Sequence, residues 1–528
     1  MANTPAEEFI LEALDKKVSD VEQIHTLKSK YALKFKRPLF SNVELLEAYR
    51  FLMEKKVLSL DKKFWNLLRK RGVRSKSGIA SITVITKDYA CPGGCIYCPG
   101  EPGMPKSYLS NEPAVMRAIL SDFSGYRQVR NRLMSLEKAG HNTDKIEIII
   151  SGGTFSYYPA RYQTSFVKGL FNALNEDKMG DGTLPGAQKE NETAKHRCIG
   201  LSVETRPDYV TEKEVKRFRL LGATKVELGV QSLDDEILAL NNRGHGTAET
   251  STAIRLLKDA GFKINCHVMP NLYRSNIEKD LNDFKKLFEN PDYRPDWLKI
   301  YPCMVVPWSQ LEKLYKEGKY RPYTDEELID LLIKIKLMVP EYVRIARLYR
   351  DIPAGSILAG SKISNIRQVI HQKMEQDGLK CRCIRCREIQ DEKVVIGDLS
   401  LKIKEYDASR GKEFFISYDD SKRDKLCSLL RLRFSSYSQE GRKHFIKELD
   451  GAAIIREVHT YGEQVKVGEK GNNDSQHIGL GRRMIQKAEE ISKKHGFSRI
   501  AVISGIGVRE YYRKLGYQLE GTYMVKPL

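Results

Sequence analysis

Nowhere among the 528 residues does an apolar run approach the roughly 18 that a membrane-spanning helix needs. Residues 1–20 are acidic and amphipathic and lack the apolar centre of a secretory leader. Both absences predict a cytoplasmic protein. Acidic residues are in deficit, with 69 Asp and Glu against 89 Lys and Arg, a formal net charge of +20 at pH 7. That surplus departs from the neutral balance of an ordinary soluble enzyme and points to a polyanionic partner, nucleic acid first. The ten cysteines lack the spread of a disulfide framework. Six sit in two knots, 91/95/98 and 381/383/386, with Cys198, Cys266, Cys303 and Cys427 scattered, which suits metal sites in a reducing compartment.

What is present divides into three textures, and a 41 % hydrophobic content suffices to bury a core in each of two or three domains. Residues 1–78 read as a basic helical region, with Phe9, Ile10, Ala13 and Leu14, then Val43, Leu45, Leu46, Tyr49 and Leu52, at helical spacing. Lysines and arginines there interleave with Tyr31, Phe35, Phe40, Phe64 and Trp65. The pattern predicts contact with RNA, a solvated helical face being the alternative. Residues 79–400 alternate apolar strand candidates with helix-length segments: 82–85, 145–151, 198–205, 225–231, 263–269 and 297–301. Repeated βα units predict a parallel sheet, and six strands are too few to close an eight-stranded barrel, so an open, partial (β/α)6 barrel is expected. The polar stretch 175–195 reads as a surface excursion. A boundary near 410 separates a mixed α+β domain, residues 411–528.

Cys91-Pro-Gly-Gly-Cys95-Ile-Tyr-Cys98 follows the first strand, and residues 99–140 supply no second cysteine or histidine pair to close a tetrahedral site. Three thiolates at this spacing can hold three irons of a [4Fe–4S] cluster and leave the fourth open; zinc and unliganded buried thiols are the alternatives. Gly152, Gly153 and Thr154 follow the second strand, either as a plain turn or as a close-approach seat for the amino group of S-adenosylmethionine. Glu204, Arg206, Asp208, Glu227 and Gln231 end the next two strands, where a solvated salt-bridge network competes with ribose and carboxylate contacts. His267 and Lys299, in the last two strands, are candidates to face substrate. Cys381, Cys383 and Cys386 form a knot expected to hold structural zinc, with Cys303 the first choice of fourth ligand and His371 the second; reduced surface thiols are the alternative.

In the last domain Gln476-His-Ile-Gly479-Leu480-Gly481 opens an amphipathic helix, and converging backbone N–H groups at the positive end of a helix dipole suit a pyrophosphate. A strand with a polar face, Arg456 to Tyr461, precedes it, and Arg509-Glu-Tyr511-Tyr512 to Tyr517 follows. This order resembles the GCN5-related N-acetyltransferase fold. The resemblance implies that Glu457, Val458, His459, Gln476, Gly479, Leu480, Gly481 and Tyr511 hold acetyl-CoA, and that Tyr512 is the acid, with Tyr511 and Tyr517 as further catalytic candidates. Packing of the tyrosines in the core is the competing reading.

The cysteine loop, with Tyr97 before its last cysteine, resembles the radical S-adenosylmethionine superfamily. Coupled to the acetyltransferase domain, and carrying Gly152-Gly-Thr-Phe, Glu204-Thr-Arg-Pro-Asp-Tyr, Glu227-Leu-Gly-Val-Gln-Ser, Asn242-Arg-Gly-His and Val502-Ile-Ser-Gly-Ile-Gly-Val-Arg, it is similar to the Elongator protein three family from about residue 75 onward. The compact cysteine loop is like that of archaeal and bacterial members, and the 381/383/386 knot departs from the eukaryotic pattern. The resemblance implies a tRNA-modifying enzyme acting at carbon 5 of the wobble uridine, position 34. Cleavage of S-adenosylmethionine at the cluster would give a 5′-deoxyadenosyl radical, which takes hydrogen from the methyl of acetyl-CoA. The resulting carbon radical would add to uracil and leave a carboxymethyl group after thioester hydrolysis. It also implies a lysine at the acetyl-CoA site, here Lys145, and an electron donor. A homodimer and a larger Elongator-like assembly both stay open, and so does the rival reading of a lysine or histone acetyltransferase using only the last domain.

Overall fold

The computed structural model describes residues 4–69, 78–178, 180–390, 392, 394–461 and 479–528. Among them no helix is long and apolar enough to cross a membrane. Two seven-stranded sheets organise the chain. The first contains β1 Ala80–Ile85, β2 Lys145–Ser151, β3 Arg197–Thr205, β4 Lys225–Gln231, β5 Lys263–Val268, β6 Trp297–Ile300 and β7 Arg344–Arg347, all parallel and in chain order. Its edges do not meet, so it is the open barrel expected, with a seventh strand beyond the six. Arg-Ile-Ala-Arg holds one large apolar residue between two charges, which leaves β7 without the apolar run that marks the others.

Along each strand the side chains alternate. Ile146, Ile148 and Ile150 of β2, Val226, Leu228 and Val230 of β4 and Ile264, Cys266 and Val268 of β5 are buried in the main core. Their neighbours Glu147, Lys225, Glu227, Lys263, Asn265, His267 and Lys299 line a polar lumen. The 175–195 stretch is a surface excursion only in its first part, where 176–178 and 180–183 are exposed. Helix Leu184–Asn191 lies within it, and Asn191 is buried, donating to Asn175 and His196 and accepting from Cys198 N.

The second sheet contains β8 Leu399–Ala408, β9 Gly411–Asp420, β10 Lys425–Phe434, β11 Ala452–Thr460, β12 Arg499–Val502, β13 Gln518–Glu520 and β14 Tyr523–Pro527, in the order β13-β14-β12-β11-β10-β9-β8. Only β11 and β12 pair in parallel. The boundary near 410 falls inside a hairpin: Ser409 and Arg410, at φ 50° and 59°, form the tight two-residue turn between β8 and β9. The sheet therefore begins at 399, with a strand that lies before the expected boundary and that the sequence reading does not mark.

Three arginines join the domains. Arg431 and Arg433 of β10 and Arg456 of β11 are fully buried. Arg456 Nη1 bonds both Asp296 Oδ1, just before β6, and Glu413 at 3.0 Å. Arg433 reaches Asp259 Oδ1 at 2.6 Å and Glu413 at 3.0 Å. Such charges are tolerable in the interior only when paired and hydrogen-bonded, so the interface fixes one geometry.

The basic N-terminal region forms helices Pro5–Asp15, Val21–Lys34, Asn42–Glu54 and Lys62–Leu68 around its own core. Tyr31, Phe40 and Phe64 are buried in that core, with Phe35 and Trp65 packed against it, so the interleaved aromatics serve folding and not base stacking. Lys30, Lys34, Lys36, Lys55, Lys56, Lys62 and Lys63 stay exposed. Trp65 Nε1 donates to Gly140 O at 3.3 Å and Lys138 pairs with Glu47 at 3.5 Å, which anchors this bundle to the barrel.

Candidate active site

The cysteine loop leaves the carboxyl end of β1 and lies over the lumen. Arg243 Nη1 donates to Cys95 Sγ at 3.6 Å, and a Cβ at Gly93 would stand 2.1 Å from Arg206 Nη1, so a side chain there would push that guanidinium aside. Burial pushes the Cys98 thiol up to about 11. Three thiolates on three different irons stand farther apart than three on one ion. Among the described residues the thiols that converge within 4.8 Å are those of Cys381, Cys383 and Cys386.

Across the mouth, Gly152 and Gly153 take φ +134° and +96°, and a Cβ on Gly152 would lie 2.0 Å from Thr86 Oγ1. The Glu204 carboxylate accepts from Tyr108 Oη at 2.8 Å and from Gly152 N at 3.4 Å. Arg206 grips Asp208 through two bonds of 2.9 and 2.8 Å. Gln231 adopts left-handed φ 74°. Tyr97 Oη, Arg206 Nη1 and Gln231 Oε1 are buried without a partner around this space. Buried polar groups are ordinarily satisfied, so a donor, an acceptor and a hydroxyl left open here fit a polar ligand. The amino, carboxylate and ribose groups of S-adenosylmethionine match that demand.

Deeper in the lumen, Glu227 collects His267 Nε2, Lys299 Nζ and Asn265 Nδ2, each at 2.8 Å, and Ser202 Oγ at 3.2 Å. Burial opposes its charge, yet Lys299, His267 and Lys225 hold the carboxyl well below the usual range. Lys225 also pairs with Glu147 at 2.6 Å. Glu147 and Lys225 were not singled out from the sequence, although their alternation with apolar neighbours carried the signal.

The lumen continues to the amino-terminal ends of the strands, where the second domain closes it. One cavity of about 2260 Å³ is lined by Cys91, Cys95 and Cys98 and also by Lys145, Val458, His459, Gly479, Gly481, Tyr511 and Tyr512. Gly153, Thr154, Glu204, Gln231 and Glu457 line it too. Burial, opposed by Glu457, lowers His459 to about 4, so its imidazole is neutral, and its Nε2 has no partner. Burial of Glu457 is outweighed by Lys263 and Arg431, which bring that carboxyl to about 2. It bonds Arg431 Nε at 2.8 Å and thus serves the interface. Burial lowers Lys145 and raises Tyr512, keeping the phenol protonated at neutral pH. Gly479 precedes the helix Leu480–Lys494 at φ 72°, and a Cβ on Gly481 would sit 3.3 Å from Tyr511 Oη.

One sequence expectation fails here. Tyr517 does not line the cavity; it is 1 % exposed in the sheet–helix core and donates to Glu489 at 2.8 Å. Leu480 is buried, so its side chain belongs to the core, leaving only its backbone for a ligand. Gln476 lies outside the described residues.

A group that sequence reasoning missed holds the tyrosine helix in place. Glu192 of the barrel domain accepts from Arg509 at 3.1 Å and from Arg513 at 2.6 Å, the residues that bracket Tyr511 and Tyr512. Cβ atoms on Gly505 and Gly507 would meet Ile199 O at 2.2 Å and Arg197 Cβ at 2.5 Å, so these glycines let the turn before the helix lie on β3. Glu192→Ala leaves Arg509 buried and unpaired; it is expected to cost about 1–3 kcal/mol, read as a lower thermal unfolding midpoint.

The second knot stands beside β7. His371 Nε2 lies 3.9 Å and Lys336 Nζ 3.5 Å from Cys386 Sγ. Cys303 is not a member: it packs with Ile96, Tyr97, Val305 and Tyr320 under the cysteine loop. The second choice, His371, is therefore the neighbour.

Residues 87–284 match the Radical SAM superfamily and residues 295–376 its C-terminal domain. The chain is 43 % identical to the tRNA uridine(34) acetyltransferase of Methanocaldococcus infernus, over 99 % of this chain and 98 % of the relative. It is 38 % identical to Elongator complex protein 3 of Bos taurus, over 87 % and 86 %. A solved structure of archaeal Methanocaldococcus infernus Elp3 lacking residues 1–46 superposes with a TM-score of 0.75 at 41 % identity, covering 86 % of this chain and all of that one. The superfamily implies a [4Fe–4S] cluster and S-adenosylmethionine. With relatives matched over nearly their whole length, the chain belongs to the family of tRNA uridine(34) acetyltransferases and Elongator complex protein 3.

Proposed function

We propose that the protein carboxymethylates carbon 5 of uridine 34 in tRNA, with acetyl-CoA as the source of the two-carbon unit. The observation that carries this reading is the single cavity shared by Cys91, Cys95 and Cys98 at one end and Gly481, Tyr511 and Tyr512 at the other. An acetyltransferase acting alone on lysines has no use for a lumen that runs on into a cysteine loop. A cluster held by the three cysteines would supply the electron that splits S-adenosylmethionine, delivered by an external electron donor.

The protein's own groups do the remaining work. Arg206, Gln231, Glu204 and the Gly152–Gly153 turn orient the adenosyl ligand through the polar atoms described above. The turn at Gly479–Gly481, with the helix dipole behind it, favours the pyrophosphate of acetyl-CoA. Tyr512 carries a proton that its burial retains, and it can release that proton to a departing thiolate. Neutral His459, with Nε2 open, can accept a proton from water at the thioester. Zinc at Cys381, Cys383 and Cys386, with His371 as fourth ligand, would pin the loop beside β7. The exposed lysines of the N-terminal bundle and the +20 charge suit tRNA phosphates, and a wobble base in a single-stranded loop enters a pocket without melting a duplex. The reduced thiols and the tRNA substrate agree with a cytoplasmic protein.

Reduced, anaerobically reconstituted protein incubated with S-adenosylmethionine, acetyl-CoA and tRNA should add a carboxymethyl mass to uridine 34 in nucleoside mass spectrometry. Release of 5′-deoxyadenosine with no mass gain on that uridine would refute the reading.

A further inference from the structure

A cluster of tyrosines at the mouth of the cavity has no part in the chemistry above. Tyr89 lies two residues before Cys91, Tyr157 three after Thr154 and Tyr209 three after Arg206, so each follows the carboxyl end of a strand, β1, β2 and β3. Tyr89 stacks on Tyr158 with centroids 4.9 Å apart, and Tyr158 stacks on Tyr162 at 5.0 Å. Tyr158 is 5 % exposed and its Oη donates to Lys87 O at 2.7 Å, which fixes the ring under Tyr89. Tyr157 meets Tyr89 at 6.0 Å and stands edge-on to Tyr209 at 5.6 Å. Tyr89 and Tyr157 are 37 % and 38 % exposed. Lys87 Nζ sits 5.2 Å over the Tyr162 ring and Arg206 Cζ 5.9 Å over that of Tyr209, while Asp208 is neutralised by Arg206.

Two exposed rings, Tyr89 stacked on the packed ring of Tyr158 and Tyr157 set edge-on to Tyr209, beside cations and next to a reaction cavity, make a stacking surface at little ordering cost. A base drawn into the cavity leaves its neighbours in the loop without a stacking partner. An aromatic face replaces that partner, and stacking of this kind tolerates any base. We propose that Tyr89 and Tyr157, buttressed by Tyr158 and Tyr209, stack the unpaired nucleobase adjoining the one being modified. This rests on the reading that RNA is the substrate. A redox protein docking on the same face would be steered mainly by charge, which the two exposed phenol rings do not supply.

The test uses the full chain and an anticodon stem–loop RNA carrying 2-aminopurine beside the target uridine. Wild-type protein should bind it and quench the fluorescence. Tyr157→Leu, and separately Tyr89→Leu, should weaken binding about tenfold or more and relieve the quench. Tyr157→Phe and Tyr89→Phe, which keep the ring, should behave as wild type. The Tyr157 pair is decisive if Tyr89→Leu disturbs the adjacent cysteine loop, and the thermal midpoint is the folding control. Leucine variants that bind and quench like wild type overturn the platform while leaving RNA as substrate. So does a result in which they slow only reduction by a flavodoxin-type donor, which would make the face a redox dock. Failure of the wild-type chain to bind the RNA at all would instead overturn the functional reading on which the platform rests.

Discussion

Cys95→Ala should abolish both 5′-deoxyadenosine formation and uridine modification. Cys95 is buried, its sulfur accepts from Arg243, and it is the middle one of the three thiols proposed to hold the cluster. Two thiolates cannot retain three irons, so the variant should lose iron on reconstitution, seen as loss of the visible absorbance of the cluster. Changing even an outer partner of a metal ligand costs about 10- to 100-fold, and removing the ligand itself should exceed that. If the acetyltransferase domain acted alone, the same variant would keep its full acetyl transfer activity, which makes this substitution a discriminating one.

Asp296→Ala should destabilise the domain interface by about 3–5 kcal/mol, because it removes the carboxylate that Arg456 and Arg431 share and leaves the two buried arginines to Glu413 and Glu457 alone. Thermal or urea unfolding would show it, and Asp296→Asn, keeping volume and one acceptor, should lose less. The pH dependence follows from the same network. Burial opposes the charge on Asp296, but Arg456, Arg431 and Lys258 hold its carboxyl below the usual range; Glu457 comes down to about 2. Depressed carboxyls contribute stability that is complete above their unfolded values and is lost as pH falls through the folded ones. The interface should therefore weaken progressively from the ordinary carboxylate range down toward pH 2, and Asp296→Ala should flatten that slope.

Both the cysteine loop and the glycine turn were legible in the sequence because their chemistry is local: a few residues in fixed spacing define each. The first six barrel strands were legible for a similar reason, each being an apolar run with turn residues at its ends. What escaped is non-local. The Leu-Arg-Leu-Arg alternation of β10 reads as a strand with one face in water, yet those arginines are buried, and Arg433 finds its acid 174 positions away. Glu192 lies in a polar stretch whose composition matches a solvated loop, and its partners are 317 and 321 residues distant. Cys303 was chosen for its place after a strand, but the end of β6 opens toward the cluster loop whereas the second knot packs beside β7 and His371. Tyr517 shares the spacing of Tyr511 and Tyr512 but stands beyond the end of their short helix, Arg509–Arg513, and turns into the core.

The central claim is that one cavity lets chemistry begun at the cysteine loop reach the acetyl group held by the second domain. Turnover with acetyl-CoA deuterated on its methyl group tests it directly. Deuterium should appear in 5′-deoxyadenosine, and the carboxymethyl group on uridine 34 should retain the remaining two. Unlabelled 5′-deoxyadenosine alongside a labelled carboxymethyl product would mean that the hydrogen comes from elsewhere, and would contradict a path through the lumen.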